Sequence, residues 1–270
     1  MEQKRSEFDS RGLRVAVITY DSPPILKDFA ARRKVTYPLL SDNDSAVIRR
    51  FGILNTNVAA NTPFHGVPFP GTYVVDAKGV VKSKYFEDDY RDRFSAGNIL
   101  YREFDTGLGI GSATKTDHLT LRTSASNATV FTGSRIVLAI EIELPRKMHI
   151  YAPGVQGYKA IEWKMEEAKQ ALAMPVRFPP SRPMRLKAIS ETVPVYEKKV
   201  RLTRDLAVGV AAELGEAMKK GELEVAGVFE YQACDDKACY LPRSVPVKWK
   251  FAIDKPDSQR APAALRDKVQ

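Results

Sequence analysis

The sequence predicts two domains of different class, an α/β domain followed by an all-β sandwich. Three observations carry this expectation. Residues 12–104 alternate strand-like and helix-like stretches, the pattern of a sheet layered with helices. Residues 105–117, rich in Gly, Ser and Thr, have the composition of a flexible linker. Residues 118–254 carry short β-rich runs joined through Pro175, Pro179, Pro180, Pro183 and Pro194, a count and spacing that fit a sandwich. With 270 residues and 44% hydrophobic content, the chain can bury two ordinary cores.

In the first domain, residues 12–20 (Leu13, Val15, Ala16, Val17, Ile18) form an apolar run of buried-strand length. Asp21 or Ser22 then caps a helix that runs to about Lys34, with Pro23 and Pro24 tolerated in its first turn. Residues 37–40 make a short strand, and Ser41 to Ser45 cap a helix over 46–51 that stops at Gly52. Residues 71–76 and 80–86 predict a hairpin about Ala77-Lys78-Gly79. A helix over 92–104 closes the domain, and the order implies one mixed sheet.

In the second domain, strands are expected at 118–123, 135–144, 158–164, 172–178, 196–202, 206–214, 222–233 and 245–251. The last alternates Val245, Val247, Trp249 and Phe251 with Pro246 and the basic Lys248 and Lys250, as a half-buried strand should. His149, beside Tyr151, reads as a surface histidine, the alternative being a proton carrier near the thiols. Residues 255–270 read as a loose tail.

The net charge of +9 divides as +2 over residues 1–112 and +7 over the remainder. The excess is scattered over Arg177, Arg182, Arg185, Lys187, Lys198, Lys199, Lys248 and Lys250 without a dense run. It reads as solvated surface, and no nucleic-acid partner is expected. No apolar stretch approaches the length of a membrane span, so stable membrane insertion is not expected. Gly107, Gly109 and Gly111 lack dinucleotide spacing and are expected to hold no cofactor. The polar start, Met1-Glu2-Gln3-Lys4-Arg5, is not a secretory signal.

Chemistry concentrates at Cys234 and Cys239, the two cysteines of the chain. Their sulfurs meet only if the backbone turns between them, and Asp235-Asp236-Lys237 is turn material. The pair therefore sits at a strand-to-strand corner. So short a ring removes only about 2 kcal/mol of unfolded-chain entropy, little for a staple. Exposed or strained disulfides are the labile ones. A redox pair, a hairpin clip and two reduced core thiols all stay open. Metal is not expected, because two thiolates need two more ligands and none of His65, His118 or His149 is near in sequence. Tyr231 and Lys237 are candidates to stand beside the sulfurs and tune them. Lys237 favours a thiolate, whereas Asp235 and Asp236 oppose it.

The run Tyr231-Gln232-Ala233-Cys234, four residues, Cys239, then Leu241-Pro242 and a final strand resembles the N-terminal periplasmic domain of DsbD, the disulfide bond corrector family. The likeness covers about 117–254. It implies an immunoglobulin-like β-sandwich and a bacterial, extracytoplasmic setting. It also implies thiol-disulfide exchange with a partner thiol protein, with Cys239 attacking and Cys234 resolving. That family shields its cysteines with a short loop before a Tyr and a strand. Glu191 to Glu197 stands in the corresponding place, making Val195 and Tyr196 the cap candidates.

Thr19-Tyr20-Asp21-Ser22, Tyr37-Pro38-Leu39-Leu40-Ser41-Asp42 and Pro70-Gly71-Thr72-Tyr73-Val74-Val75-Asp76 resemble the thioredoxin-like peroxiredoxins of the AhpC/TSA redoxin family, over about 1–104. In that family a further strand and the peroxide-attacking cysteine come first. Residues 1–11 read as the end of the helix after that cysteine, so the domain is expected to be incomplete, without its first strand and active-site loop. Gly71 stands where thioredoxin proper places a cis-proline, with Pro70 one residue early. No cysteine precedes Cys234, and peroxide reduction needs a thiolate. Peroxidase activity is therefore expected only with the missing region restored. The resulting expectation is thiol-disulfide exchange through Cys234 and Cys239 in an antioxidant, redox-homeostasis context, with a thiol protein, such as a redoxin domain, as partner. The rival is an inactive binding module with a structural disulfide.

Overall fold

The computed structural model describes residues 1–62, 64–86, 92–186, 191–254, 259 and 262. They form two compact units, residues 1–100 with 259 and 262, and residues 101–254.

The first unit opens with a short helix, Arg5–Ser10. Strand Val17–Thr19 then pairs in parallel with Leu39–Ser41, and the helix Pro23–Arg33 connects them. That helix carries the expected prolines in its first turn; it begins after an extended Ser22 that makes no side-chain capping bond and ends at Arg33, where Lys34 turns left-handed. Asp42 caps the next helix, Ala46–Arg50. Its carboxylate accepts the N–H groups of Val47 (3.1 Å) and Ile48 (2.8 Å). Strands Gly71–Val75 and Val81–Phe86 form the hairpin, its turn held by Asp76 Oδ1, which accepts from Lys78 and Val80. Phe8, Leu26 and Ile48 supply a small core.

Three expectations for this unit change. The strand over 12–20 contracts to Val17–Thr19 and is half-buried, because among the described residues it has a single neighbouring strand to cover it. The mixed sheet is two separate pairs, one parallel and one antiparallel, with no ladder joining them among the described residues. The closing helix begins at Ala96 and runs to Phe104. The result is a partial thioredoxin-like α/β region.

The second unit is a β-sandwich. One sheet runs in the order Ala171–Ala173, Lys199–Val208, Ser134–Glu143, Thr120–Ala125, Gly109–Lys115. A second runs Glu162–Met165, Glu222–Tyr231, Arg243–Ile253, Thr129–Val130. The inward side chains of both make one core. Leu121, Leu138, Ile140 and Leu202 belong to the first sheet, and Trp163, Phe229 and Trp249 to the second. Trp163 stacks on Trp249 with ring centroids 5.5 Å apart. In Arg243–Ile253 the residues Val245, Val247, Trp249, Phe251 and Ile253 are buried and their alternates exposed, so the period-two pattern sets the inward face. Arg204 is buried with no carboxylate partner among the described residues. Its guanidinium lies over the Trp163 ring and donates to the carbonyls of Met174 (2.8 Å) and Trp163 (3.1 Å). A third sheet, in the order Arg182–Leu186, Glu191–Glu197, His149–Tyr151, Ala233–Cys234, carries the cysteines at its edge.

Here too the structure departs from expectation. Within the segment expected as a linker, Gly109–Lys115 is a strand hydrogen-bonded to Thr120–Ala125. Its small residues suit a close approach: a Cβ at Gly111 would lie 2.6 Å from the Thr123 carbonyl oxygen. The strand expected over 196–202 is two strands, Glu191–Glu197 and Lys199–Val208, broken at Lys198, whose φ is 61°. The strand expected over 206–214 ends at Val208 and gives way to a helix, Ala211–Lys220. Glu213 caps that helix by accepting the Val210 N–H (2.8 Å), and Gly221 closes it in the left-handed region. The tail at 255–270, apart from 259 and 262, and Lys187 lie outside the described residues.

Candidate functional site

Cys234 and Cys239 form a disulfide with Cα atoms 4.1 Å apart. The turn between them is built by Asp235. Its Oδ1 accepts the backbone N–H groups of Lys237 (2.7 Å) and Ala238 (2.8 Å), and its Oδ2 accepts the Tyr240 hydroxyl (2.9 Å). These bonds, that of Lys237 foremost, hold the Asp235 carboxyl below the usual carboxylate range. The Asp235 and Tyr240 N–H groups complete the corner by donating to the Ala238 and Ala233 carbonyls. Gln232 clamps the corner from outside. Its Nε2 donates to the Tyr240 carbonyl (3.1 Å) while its Oε1 accepts the Lys159 N–H (3.0 Å).

The two sulfurs occupy unlike surroundings. Cys234 is 1% exposed, whereas Cys239 lies in the exposed stretch Asp236 to Cys239. Leu241, two residues on, is 83% exposed.

The buried side of the disulfide faces the strand His149–Tyr151. His149 stands opposite Cys234 in register, and Tyr151 lies two residues along on the same face. The Tyr151 hydroxyl touches both sulfurs, 3.2 Å from Cys234 Sγ and 3.3 Å from Cys239 Sγ. Its ring stacks on Tyr158, with centroids 4.4 Å apart. Burial foremost, then Tyr158 and Glu191, pushes the Tyr151 phenol up to about 12. His149 is 4% exposed and meets the Tyr151 ring edge-on at 5.5 Å. Desolvation pulls its imidazole below the usual histidine value, partly offset by Glu197, Asp236 and Asp235.

The candidates drawn from sequence fare unequally. Val195 and Tyr196, expected in a capping loop, instead lie inside the strand Glu191–Glu197, paired with Tyr151 and Ile150. Period-two alternation sends them to opposite faces. Val195, wholly buried, belongs to one apolar cluster with Tyr151, Val193 and Cys234. Tyr196 turns into the main core and donates to the Pro179 carbonyl (2.7 Å). Tyr231 is also a core residue, its hydroxyl bonded to Thr116 Oγ1 at 2.9 Å. Lys237 is exposed on the turn. His149 is buried, not at the surface, because its strand runs between two others. Tyr151, Tyr158 and Gln232 were missed. The available signal was the spacing of His149 and Tyr151, which places both on one face of any strand, but the register that brings that face to Cys234 is not written locally.

Among the described residues no group of three or more His, Cys, Asp or Glu gathers where it could hold a metal ion. Among them, too, no helix is long and apolar enough to cross a membrane.

Residues 1–84 match the AhpC/TSA family, and residues 117–248 match the N-terminal domain of the thiol:disulfide interchange protein DsbD. The chain thus resembles two redox families in succession, the second spanning the disulfide. Among solved structures, the N-terminal periplasmic domain of ScsB from Proteus mirabilis is 15% identical with a TM-score of 0.35, over 53% of this chain and 50% of that one. The Neisseria meningitidis DsbD N-terminal domain in the reduced form is 11% identical with a TM-score of 0.30, over 56% of this chain and 97% of that one. The chain spans half the length of the ScsB domain it matches. No curated protein matches it.

Proposed function

We propose that this protein exchanges electrons with a partner thiol protein through the Cys234–Cys239 disulfide. The observation that carries this reading is the asymmetry of the pair, an exposed Cys239 bonded to a buried Cys234. An incoming thiolate reaches Cys239 and forms a mixed disulfide there, while Cys234 leaves with the electron pair of the S–S bond. In the return step Cys234 attacks Cys239 Sγ and releases the partner, so Cys239 is the member that meets the partner and Cys234 the one that resolves. The match of residues 117–248 to the DsbD N-terminal domain supports the same chemistry, and the redoxin match over 1–84 supports an antioxidant setting with a redoxin domain as the natural class of partner.

The reduction potential tests this. Equilibrated against defined thiol-disulfide buffers, the pair is expected above about −300 mV, outside the range of structural bridges. A lower value identifies a static clip and removes the exchange reading.

A further inference from the structure

Exchange at this disulfide requires a proton to be handled at Cys234, a sulfur that solvent barely reaches. Three polar side chains share its face of the sheet. His149 stands directly opposite Cys234, Glu197 directly opposite His149 on the other side, and Tyr151 two residues along. Opposed residues of an antiparallel pair carry their Cβ atoms about 4.5–5.5 Å apart. The imidazole is buried, and its Nε2 has no hydrogen-bond partner among the described residues. Buried nitrogens of this kind call for an explanation. With the cysteines joined in a disulfide, Cys234 carries no S–H to offer this nitrogen.

Resting on the exchange reading, we propose that His149 accepts the proton of the Cys234 thiol and that Tyr151 donates a hydrogen bond to the resulting thiolate. In ring closure, the proton passes from Cys234 Sγ to His149 Nε2. The thiolate then attacks Cys239 Sγ of the mixed disulfide. The bond from Cys239 to the partner sulfur breaks, and the partner departs as a thiolate with the bonding pair. Cys234 and Cys239 are thereby oxidised and the partner disulfide is reduced. In opening, the order reverses: Cys234 leaves as a thiolate and regains its proton from the imidazolium.

The surroundings fit both states of the imidazole. Burial keeps it neutral and able to accept. Glu197 from the neighbouring strand and Asp235 and Asp236 from the ring favour the cation once formed, although Asp236 is shared with Lys147 at 3.2 Å. The Tyr151 phenol, raised to about 12, stays protonated and able to donate throughout the neutral range.

The test follows closure of the reduced protein by glutathione disulfide, quenched with acid and alkylated, from below to above the imidazole range. Wild type should show an imidazole inflection in the closure rate. His149→Gln should lose that inflection and slow closure about tenfold or more at neutral pH, the lower range of general-base effects. Tyr151→Phe, which keeps the stacked ring, should slow closure by a smaller factor and raise the pH at which Cys234 ionises. Closure rates and pH profiles unchanged in both variants overturn the proposal. Should His149→Gln fail to fold, a wild-type profile without the inflection, together with an unaltered Tyr151→Phe, overturns it equally. A wild-type disulfide that glutathione neither opens nor closes sinks the exchange reading itself, whereas normal wild-type exchange with indifferent variants removes this assignment alone.

Discussion

At the scale of single residues, the disulfide turn depends on Asp235, whose carboxylate satisfies three donors at once. Asp235→Ala should accelerate amide hydrogen exchange at Lys237 and Ala238, and wild type should lose the same protection in acid. The sign follows from the depressed Asp235 value: its contribution is present above the ordinary aspartate range and disappears as pH falls through the lowered folded value. His149 acts in the same direction for a different reason. Burial disfavours its cation, so its contribution to stability is full above the ordinary histidine range, near about 6.5, and declines as pH falls below it toward the lowered folded value. Denaturation midpoints measured across that interval should flatten in His149→Gln; an unchanged slope would show that the imidazole is not desolvated. The cysteines and the turn residues between them were legible because turn chemistry is local. Tyr151 was not, because its contact with the sulfurs spans 83 and 88 positions and depends on strand register.

At the scale of elements, the patterns that could be read were those in which neighbours in sequence decide the outcome. The alternation of Val245 to Phe251 and the prolines at the start of Pro23–Arg33 were of that kind. Pairing partners decided the rest. Glycine-rich residues 109–115 became a strand because Thr120–Ala125 offers an edge that small residues can approach, a fact their composition does not contain. The helix Ala211–Lys220 was missed although Glu213, Lys219, Lys220 and Gly221 mark its two ends, because the apolar residues before it continue the preceding strand. Close packing makes two substitutions informative. A Cβ at Gly71 would lie 2.1 Å from the Phe86 ring, so Gly71→Ala should destabilise the hairpin by about 1–3 kcal/mol, the usual range for overpacking. Combining it with Phe86→Leu should recover part of that loss in chemical denaturation. In the sandwich, Phe229 is fully buried against Tyr231, and Phe229→Ala should cost about 3–5 kcal/mol; a loss well under 1 kcal/mol would mean the two sheets are not packed as described.

At the scale of the whole molecule, a partial thioredoxin-like region precedes a sandwich that carries the chain's two cysteines, and each part resembles a redox family. The exchange reading rests on unequal access to the two sulfurs. Single-cysteine variants measure that access most directly. In Cys234→Ser, the Cys239 thiol should form a mixed disulfide with glutathione disulfide at least about tenfold faster than Cys234 does in Cys239→Ser, because access governs exchange rates. Equal rates, or faster reaction at Cys234, would contradict the account.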